Sequence, residues 1–313
     1  MSSTTTAVSK KKSTVWYFLL LALASLMWSA QGTAVKVLDR NLGPIAITFL
    51  PFYITTVLFI PLLLKMRREN PSAPHPTARD WGQFIVAGVA GQVVAQLGMT
   101  WGVSKSLASN GAILNLLIPV MSAVLASLLL KEKLTTLRIG SLVVGLAGVG
   151  LMSLSDLKQA SFGDLHFLLG NLLILCGCLG SSFYNVYCKG LMQRFTEIEI
   201  LIFSYITASI ASLPLLIWVE PFSFRSFQGF DWRSWSAFAF LALFMYGASM
   251  LLFFKALQHL DVTTASASLY LVPVFGVLIA FSFLGEHLNV MELAGAGIVL
   301  LATILVMKYD TSY

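Results

Sequence analysis

Two glutamines four residues apart, Gln92 and Gln96, stand in an otherwise apolar stretch and so share one face of a helix. Other amide and aromatic side chains recur in similar apolar surroundings: Trp28, Gln31, Asn115, Tyr184, Asn185, Tyr246 and Tyr270. Amides both donate and accept hydrogen bonds, while aromatic rings offer apolar faces and, in tyrosine, a hydroxyl. That combination suits binding of a small amphipathic solute, such as a zwitterion with an apolar side chain. Polar groups at this depth are costly unless paired or wet. Hydrogen bonding between helices explains any one of them taken singly, so their joint placement carries more weight than their identity.

The elements that must position them are helices in a membrane. The chain of 313 residues is 57% hydrophobic and 11% charged, more apolar surface than a soluble domain can hide. A crossing needs about 20 apolar residues. The sequence predicts ten transmembrane helices, near 15–35, 44–64, 82–103, 107–130, 136–154, 165–187, 198–218, 235–257, 263–284 and 289–307. The expected fold class is therefore an all-α integral membrane protein, with no domain outside the bilayer large enough to bind a protein partner.

The chain also repeats itself. At an offset of 153, Lys36 meets Lys189, Ile45 meets Ile198, and Pro61-Leu62-Leu63 meets Pro214-Leu215-Leu216. At an offset of 154, Pro119-Val120 meets Pro273-Val274, and Leu130, Glu132 and Leu134 meet Leu284, Glu286 and Leu288. Each half holds five spans, an odd number, so the copies cross in opposite senses. Two inverted five-helix repeats, 15–154 and 165–307, flanked by cytoplasmic tails 1–14 and 308–313, are a transporter signature with the site where the repeats meet.

The repeat relates the polar groups to one another. Gln92 and Gln96 correspond to Tyr246 and Met250; Gln31 corresponds to Tyr184, beside Asn185; Asn115 faces Leu269, beside Tyr270. Pro119 and Pro273 fall inside their spans, where proline removes a helical hydrogen bond and frees the carbonyl four residues back, here of Asn115 and Leu269. They are candidate hinges, or plain packing kinks.

Charge sets orientation and excludes several functions. The net charge of +6 is a topology signal. Lys and Arg concentrate on the side of the N-terminus, which predicts both termini in the cytoplasm. Lys10-Lys11-Lys12 precedes a run too long for a cleaved leader, so a retained first span is expected. Lys36, Lys105, Lys189 and Lys255 sit near span ends, where they snorkel or guide an anion. Glu132 and Glu286 precede spans five and ten, where a carboxylate favours a helix N-terminus. No acid lies mid-span, which argues against proton coupling through a membrane carboxylate.

Cys176-x-Cys178 lacks further ligands, so no metal or cofactor is expected. No acidic cluster, HExxH or His/Asp pair supports a membrane transferase. Aromatic residues between Glu220 and Ser234 favour the headgroup level, as an anchor or a lid. Small residues in spans five and ten, such as Gly145, Gly148, Gly295 and Gly297, allow close packing and could support a homodimer.

Leu130-Lys131-Glu132-Lys133-Leu134 and Leu284-Gly285-Glu286-His287-Leu288 each follow a proline-bearing helix and precede a small-residue helix. With the duplication, and with Phe254-Lys255-Ala256-Leu257 leading to Pro273-Val274-Phe275, the chain resembles the EamA family of the drug/metabolite transporter superfamily from about residue 17 to 307. Lys131 stands where the family pattern has glycine. The resemblance implies a bacterial inner-membrane carrier, often an exporter of amino acids or related metabolites. The inverted repeats lead to the expectation of a secondary transporter working by alternating access. Its partners would be a small-molecule substrate and the bilayer, not nucleic acid. A phosphate-ester or nucleotide-sugar carrier is the alternative within the superfamily.

Overall fold

The computed structural model describes residues 2–69, 75–106, 111, 114–152, 165–220, 222–284 and 290–309, and among these no strand occurs. Among the described residues six helices are long and apolar enough to cross a membrane: α1 Val15–Leu38, α2 Pro44–Glu69, α3 Ala78–Ser104, α6 Phe167–Leu191, α7 Glu197–Val219 and α8 Trp232–His259. Four more apolar helices accompany them. These are α4 Leu117–Leu130, α5 Thr136–Met152, α10 Val290–Tyr309, and α9, built from Val262–Ala267, a 3-10 turn at Ser268–Tyr270 and Leu271–Leu284. Hydrocarbon offers the backbone no hydrogen bonds, so each segment must satisfy its own amides as a helix. Large apolar side chains point outward along the bundle, among them Leu128 at 71% and Trp218 at 78% exposure. Lipid is the solvent that makes such a surface stable. The chain is a multi-pass membrane protein.

The helices pack in a regular pattern of neighbours. α3 runs along α6, and α8 along α1; α4 lies on α6, and α9 on α1; α7 meets α3, and α2 meets α8. Three further contacts join α2 to α7, α4 to α9 and α5 to α10. The α3–α6 seam is tight because both backbones lack side chains where they cross. A Cβ on Gly98 would lie 2.5 Å from the Gly177 amide nitrogen. Small residues let helices approach this closely in lipid, where dispersion and not the hydrophobic effect holds helices together.

Charged residues tie the helix ends on the face where α1 begins. Thr77 with Asp80 and Thr196 with Glu199 form capping boxes on α3 and α7. Each buried acid also holds an arginine from a neighbour, Arg194 on Asp80 at 2.8 Å and Arg67 on Glu199. On the opposite face Glu220 accepts from the amides of Ile45 and Ala46 at 3.1 and 3.0 Å, capping α2. The aromatic connector beyond it is folded down. Phe227 packs on Phe222, Phe230 and Trp235, and the Asn41 side-chain amide donates to the Gly229 carbonyl at 3.2 Å. Asp231 ends the connector; the backbone and hydroxyl of Ser234 donate to its carboxyl and hold it below the usual carboxylate range.

Lys131 explains the family's glycine. It closes α4 at φ 58°, ψ 30°, the left-handed region, and is the one non-glycine residue with positive φ among those described. The amides of Lys131 and Glu132 both return to the Ala126 carbonyl. A side chain in this conformation costs about 1 kcal/mol relative to glycine. Lys131→Gly is expected to raise the thermal midpoint of detergent-purified protein. Gly98→Val is expected to abolish the folded species on size exclusion, because the α3–α6 backbones must separate to admit it.

Candidate functional site

Two helices depart from α geometry at matching places. α3 winds as a π-helix over Ala87–Val93 and α8 over Leu241–Ala248. Ala87 and Leu241 are 154 residues apart, the offset of the sequence repeat. Gln92 lies in the first wide turn and Tyr246 in the second. A π turn carries an extra residue and leaves carbonyls displaced from their α partners, a feature frequent at functional sites. Neighbouring hydroxyls supply hydrogen bonds here. Thr55 on α2 donates to the Ala242 carbonyl at 2.6 Å, and Tyr205 on α7 to the Tyr246 carbonyl at 3.0 Å. Thr207 on α7 does the same for the Phe84 carbonyl, three residues before the α3 π turn, at 2.8 Å.

Around these turns the polar groups contact one another. The Gln96 amide nitrogen donates to the Gln92 oxygen at 3.3 Å, and Gln92 is 4% exposed. Gln92 also reaches the Tyr184 hydroxyl, which lies 2.8 Å from the Ser204 hydroxyl. Rings enclose this network. Tyr184 stacks on Phe254, Phe52 meets Tyr205 and Tyr246, and Trp28 leans on Phe253 at 5.4 Å. Gln92, Gln96, Tyr184, Tyr246 and Trp28 thus form one neighbourhood of α1, α3, α6, α7 and α8.

Of the other sequence candidates, Asn115 and Tyr270 have their contacts elsewhere. Asn115 accepts from the Cys178 thiol at 3.6 Å, on the α4–α6 side. Asn185 is buried on α6. Gln31 starts the last segment of α1, just past a break at Ala30. Tyr270 belongs to a second apolar cluster with Leu142, Val149 and Val299 of α5 and α10, and its ring fills the space left by Gly145. Among the described residues its buried hydroxyl has no hydrogen-bond partner.

The candidate hinges have an unexpected setting. α4 begins at Leu117 and the last part of α9 at Leu271, so Pro119 and Pro273 are each third in a newly started helix. In a first turn the missing amide has no helical partner to lose. These prolines therefore mark restarts within their spans.

Sequence reasoning missed the charge cluster at the ends of α4, α6 and α8. Glu132 does not cap α5. Its carboxylate accepts from the amides of Val262 and Thr263 at 2.7 and 3.2 Å, closing the N-terminus of α9, and from the Thr263 hydroxyl at 2.9 Å. Arg138, 2% exposed, pairs with Asp261 and donates to the Lys133 carbonyl at 3.1 Å. Lys189 donates to the last carbonyls of α8, Leu257 and Gln258, so it closes a helix and does not snorkel. Glu286 lies outside the described residues. The signal available was the helix start at Asp261-Val262, whose free amides call for an anion. Among the described residues no three His, Cys, Asp or Glu side chains gather as a metal site.

A helical membrane bundle with a buried amide-and-phenol network is the build of a small-molecule carrier. The profile of the EamA-like transporter family matches residues 15–154 and 168–308. The chain belongs to that family; it is a transporter of the drug/metabolite superfamily, not an enzyme, and its substrate is a small molecule. An uncharacterized transporter of Archaeoglobus fulgidus is 24% identical over 93% of this chain and 98% of its own length. A probable terminal-alkyne amino-acid exporter of Streptantibioticus cattleyicolor is 24% identical over 96% of this chain and 95% of its own. An S-adenosylmethionine uptake transporter of Rickettsia conorii is 22% identical over 94% and 92%. A protein of known crystal structure superposes with a TM-score of 0.77 at 16% identity, over 93% of this chain and 96% of that one.

Deleting Val89, which faces lipid in the α3 π turn, removes the extra residue while leaving the flanking turns in register. The expected outcome is an inserted, thermally stable protein in which Gln92 leaves Tyr184 and transport falls at least about tenfold, a loss of about 1.4 kcal/mol. Flux and melting measured on the same preparation check it.

Proposed function

We propose that this chain exports a small amphipathic solute, an amino acid or close relative, by alternating access between two inverted five-helix repeats that together cross the membrane ten times. Both termini lie in the cytoplasm and the membrane is the bacterial inner membrane, in keeping with the Lys/Arg bias.

The observation that carries the proposal is the pair of π turns at an offset of 154, one bearing Gln92 and the other Tyr246. Three further features agree with two-fold symmetry. Thr56 and Ser209, 153 apart in sequence, touch through their hydroxyls at 3.2 Å, as a residue beside a two-fold axis touches its own counterpart. α4 and the last part of α9 restart at Leu117 and Leu271, again 154 apart. The neighbour pattern maps onto itself when each helix of the first half is exchanged with its counterpart: α3–α6 becomes α8–α1, and α2–α7, α4–α9 and α5–α10 return to themselves. Such pseudo-symmetry provides two nearly equal ways to pack the halves, the basis of alternating access.

For the cargo, the amide pair and phenols offer donors and acceptors to an α-amino acid, while Phe52, Phe253, Phe254 and Trp28 offer apolar surface. The amino-acid exporter and the S-adenosylmethionine transporter among its relatives are named for molecules that contain an amino-acid moiety. Counterflow in liposomes against a panel of amino acids and sugar phosphates tests the proposal. Large apolar amino acids are expected to exchange, and Gln96→Ala and Tyr246→Ala to reduce that exchange at least about tenfold without loss of folded protein, the size of one buried hydrogen bond or ring contact. Exchange of sugar phosphates alone would overturn the cargo, and full activity in both variants would overturn the site.

A further inference from the structure

Where α4, α6 and α8 end, on the face from which α1 starts, the protein holds a cavity of about 420 Å³. Small-molecule sites occupy about 300–1,000 Å³. Its wall has three kinds of surface. Leu129, Leu130 and Met192 are apolar. Lys131 and Lys189 carry positive charge, and Glu132 and Asp261 negative charge. Gln193 and Gln258 add amides.

Three of these charges are held in place by the fold. Glu132 is held by the first amides of α9, and Asp261 by the buried Arg138. Lys189 is held by the carbonyls of Leu257 at 2.7 Å and Gln258 at 3.1 Å. An ammonium has three donors, so two carbonyls leave one for a further acceptor. Glu132 and Asp261 are close enough to act on its charge. Fixed charges of both signs beside an apolar wall are a preorganised complement to a dipolar solute.

We propose that this cavity is the first binding site for a zwitterionic α-amino acid arriving from the face where α1 begins. Lys189 receives the carboxylate, Asp261 the ammonium group, and Leu129, Leu130 and Met192 the apolar side chain. The proposal rests on the amino-acid cargo argued above and adds where that cargo docks before it reaches the π turns. The presence of both signs of charge beside an apolar wall carries it. The wall offers two ammonium groups and two carboxylates, one of which, Asp261, also pairs with Arg138, so it presents both signs to a molecule that carries one charge of each. A phosphate ester would face Glu132 and Asp261, and a simple cation would face Lys131 and Lys189.

The test is the leucine concentration dependence of counterflow, measured separately from each face in vesicles sorted by orientation. Met192→Trp fills the cavity without removing a side-chain hydrogen bond; Lys189→Gln removes the carboxylate partner, and Lys189→Arg restores a charge. In the first two, half-saturation from the α1-start face is expected to rise about tenfold, the equivalent of one charge-assisted hydrogen bond. Half-saturation from the other face should stay at the wild-type value, and Lys189→Arg should recover most of the loss. An equal rise from both faces would mean a structural role and overturn the proposal, as would no change. If Lys189→Gln does not fold, because α8 loses its closing contact, Met192→Trp decides alone. If the wild-type protein exchanges no amino acid, the cargo assignment fails. Equilibrium binding of labelled leucine to purified protein then judges the cavity: binding that Met192→Trp abolishes supports it, and no binding overturns it.

Discussion

Everything in this fold follows from the absence of water around its backbone. In hydrocarbon an unmet carbonyl costs several kcal/mol, by about the measure that applies to any buried polar group. Regular helices avoid that cost, and most of the chain is regular helix. At the α8 π turn, where it is not, hydroxyls from two adjacent helices supply bonds, Thr55 to Ala242 and Tyr205 to Tyr246, and Thr207 meets the Phe84 carbonyl just before the α3 π turn. The irregular turn in α8 thus leans on α2 and α7, and the one in α3 on α7. Their polar side chains, Gln92 and Tyr246, inherit positions that a plain α-helix would not give.

The same constraint divides the molecule into a tight seam and a polar end. Along α3 and α6, glycines bring backbones together and leave no room for change. At the end of α4, α6 and α8, free amides and carbonyls meet charged side chains: Glu132 on the start of α9, Lys189 on the end of α8. Helix termini demand such partners. Because the partners come from different helices, the charges that close the termini also join α4 to α9 and α6 to α8. These are contacts that a rocking motion between halves would have to remake.

Much of this was legible in the sequence, and the limits are instructive. Gln92 and Gln96 were placed on one helical face by their spacing, and they do touch. Lys131 stood out against the family's glycine, and its left-handed backbone gives the reason. The sequence misled at Glu132, whose nearest helix in the chain is α5 but whose acceptor role serves α9, some 130 residues later. Pro119 and Pro273, read as hinges or kinks within their spans, each stand third in a helical segment that restarts inside the span. Tyr270 was grouped with Tyr184 and Tyr246, yet its ring turns to α5.

By itself the sequence determined the class of protein, the approximate extent of its apolar segments and the two registers that relate its halves. Composition, hydrophobic run length and self-similarity are properties of the chain alone, independent of what any residue touches. Tertiary structure decided where the helices widen, which hydroxyl meets which carbonyl, and which charge closes which terminus. Those depend on groups a hundred or more residues apart coming within about 3 Å, and local periodicity carries no information about a partner on another helix.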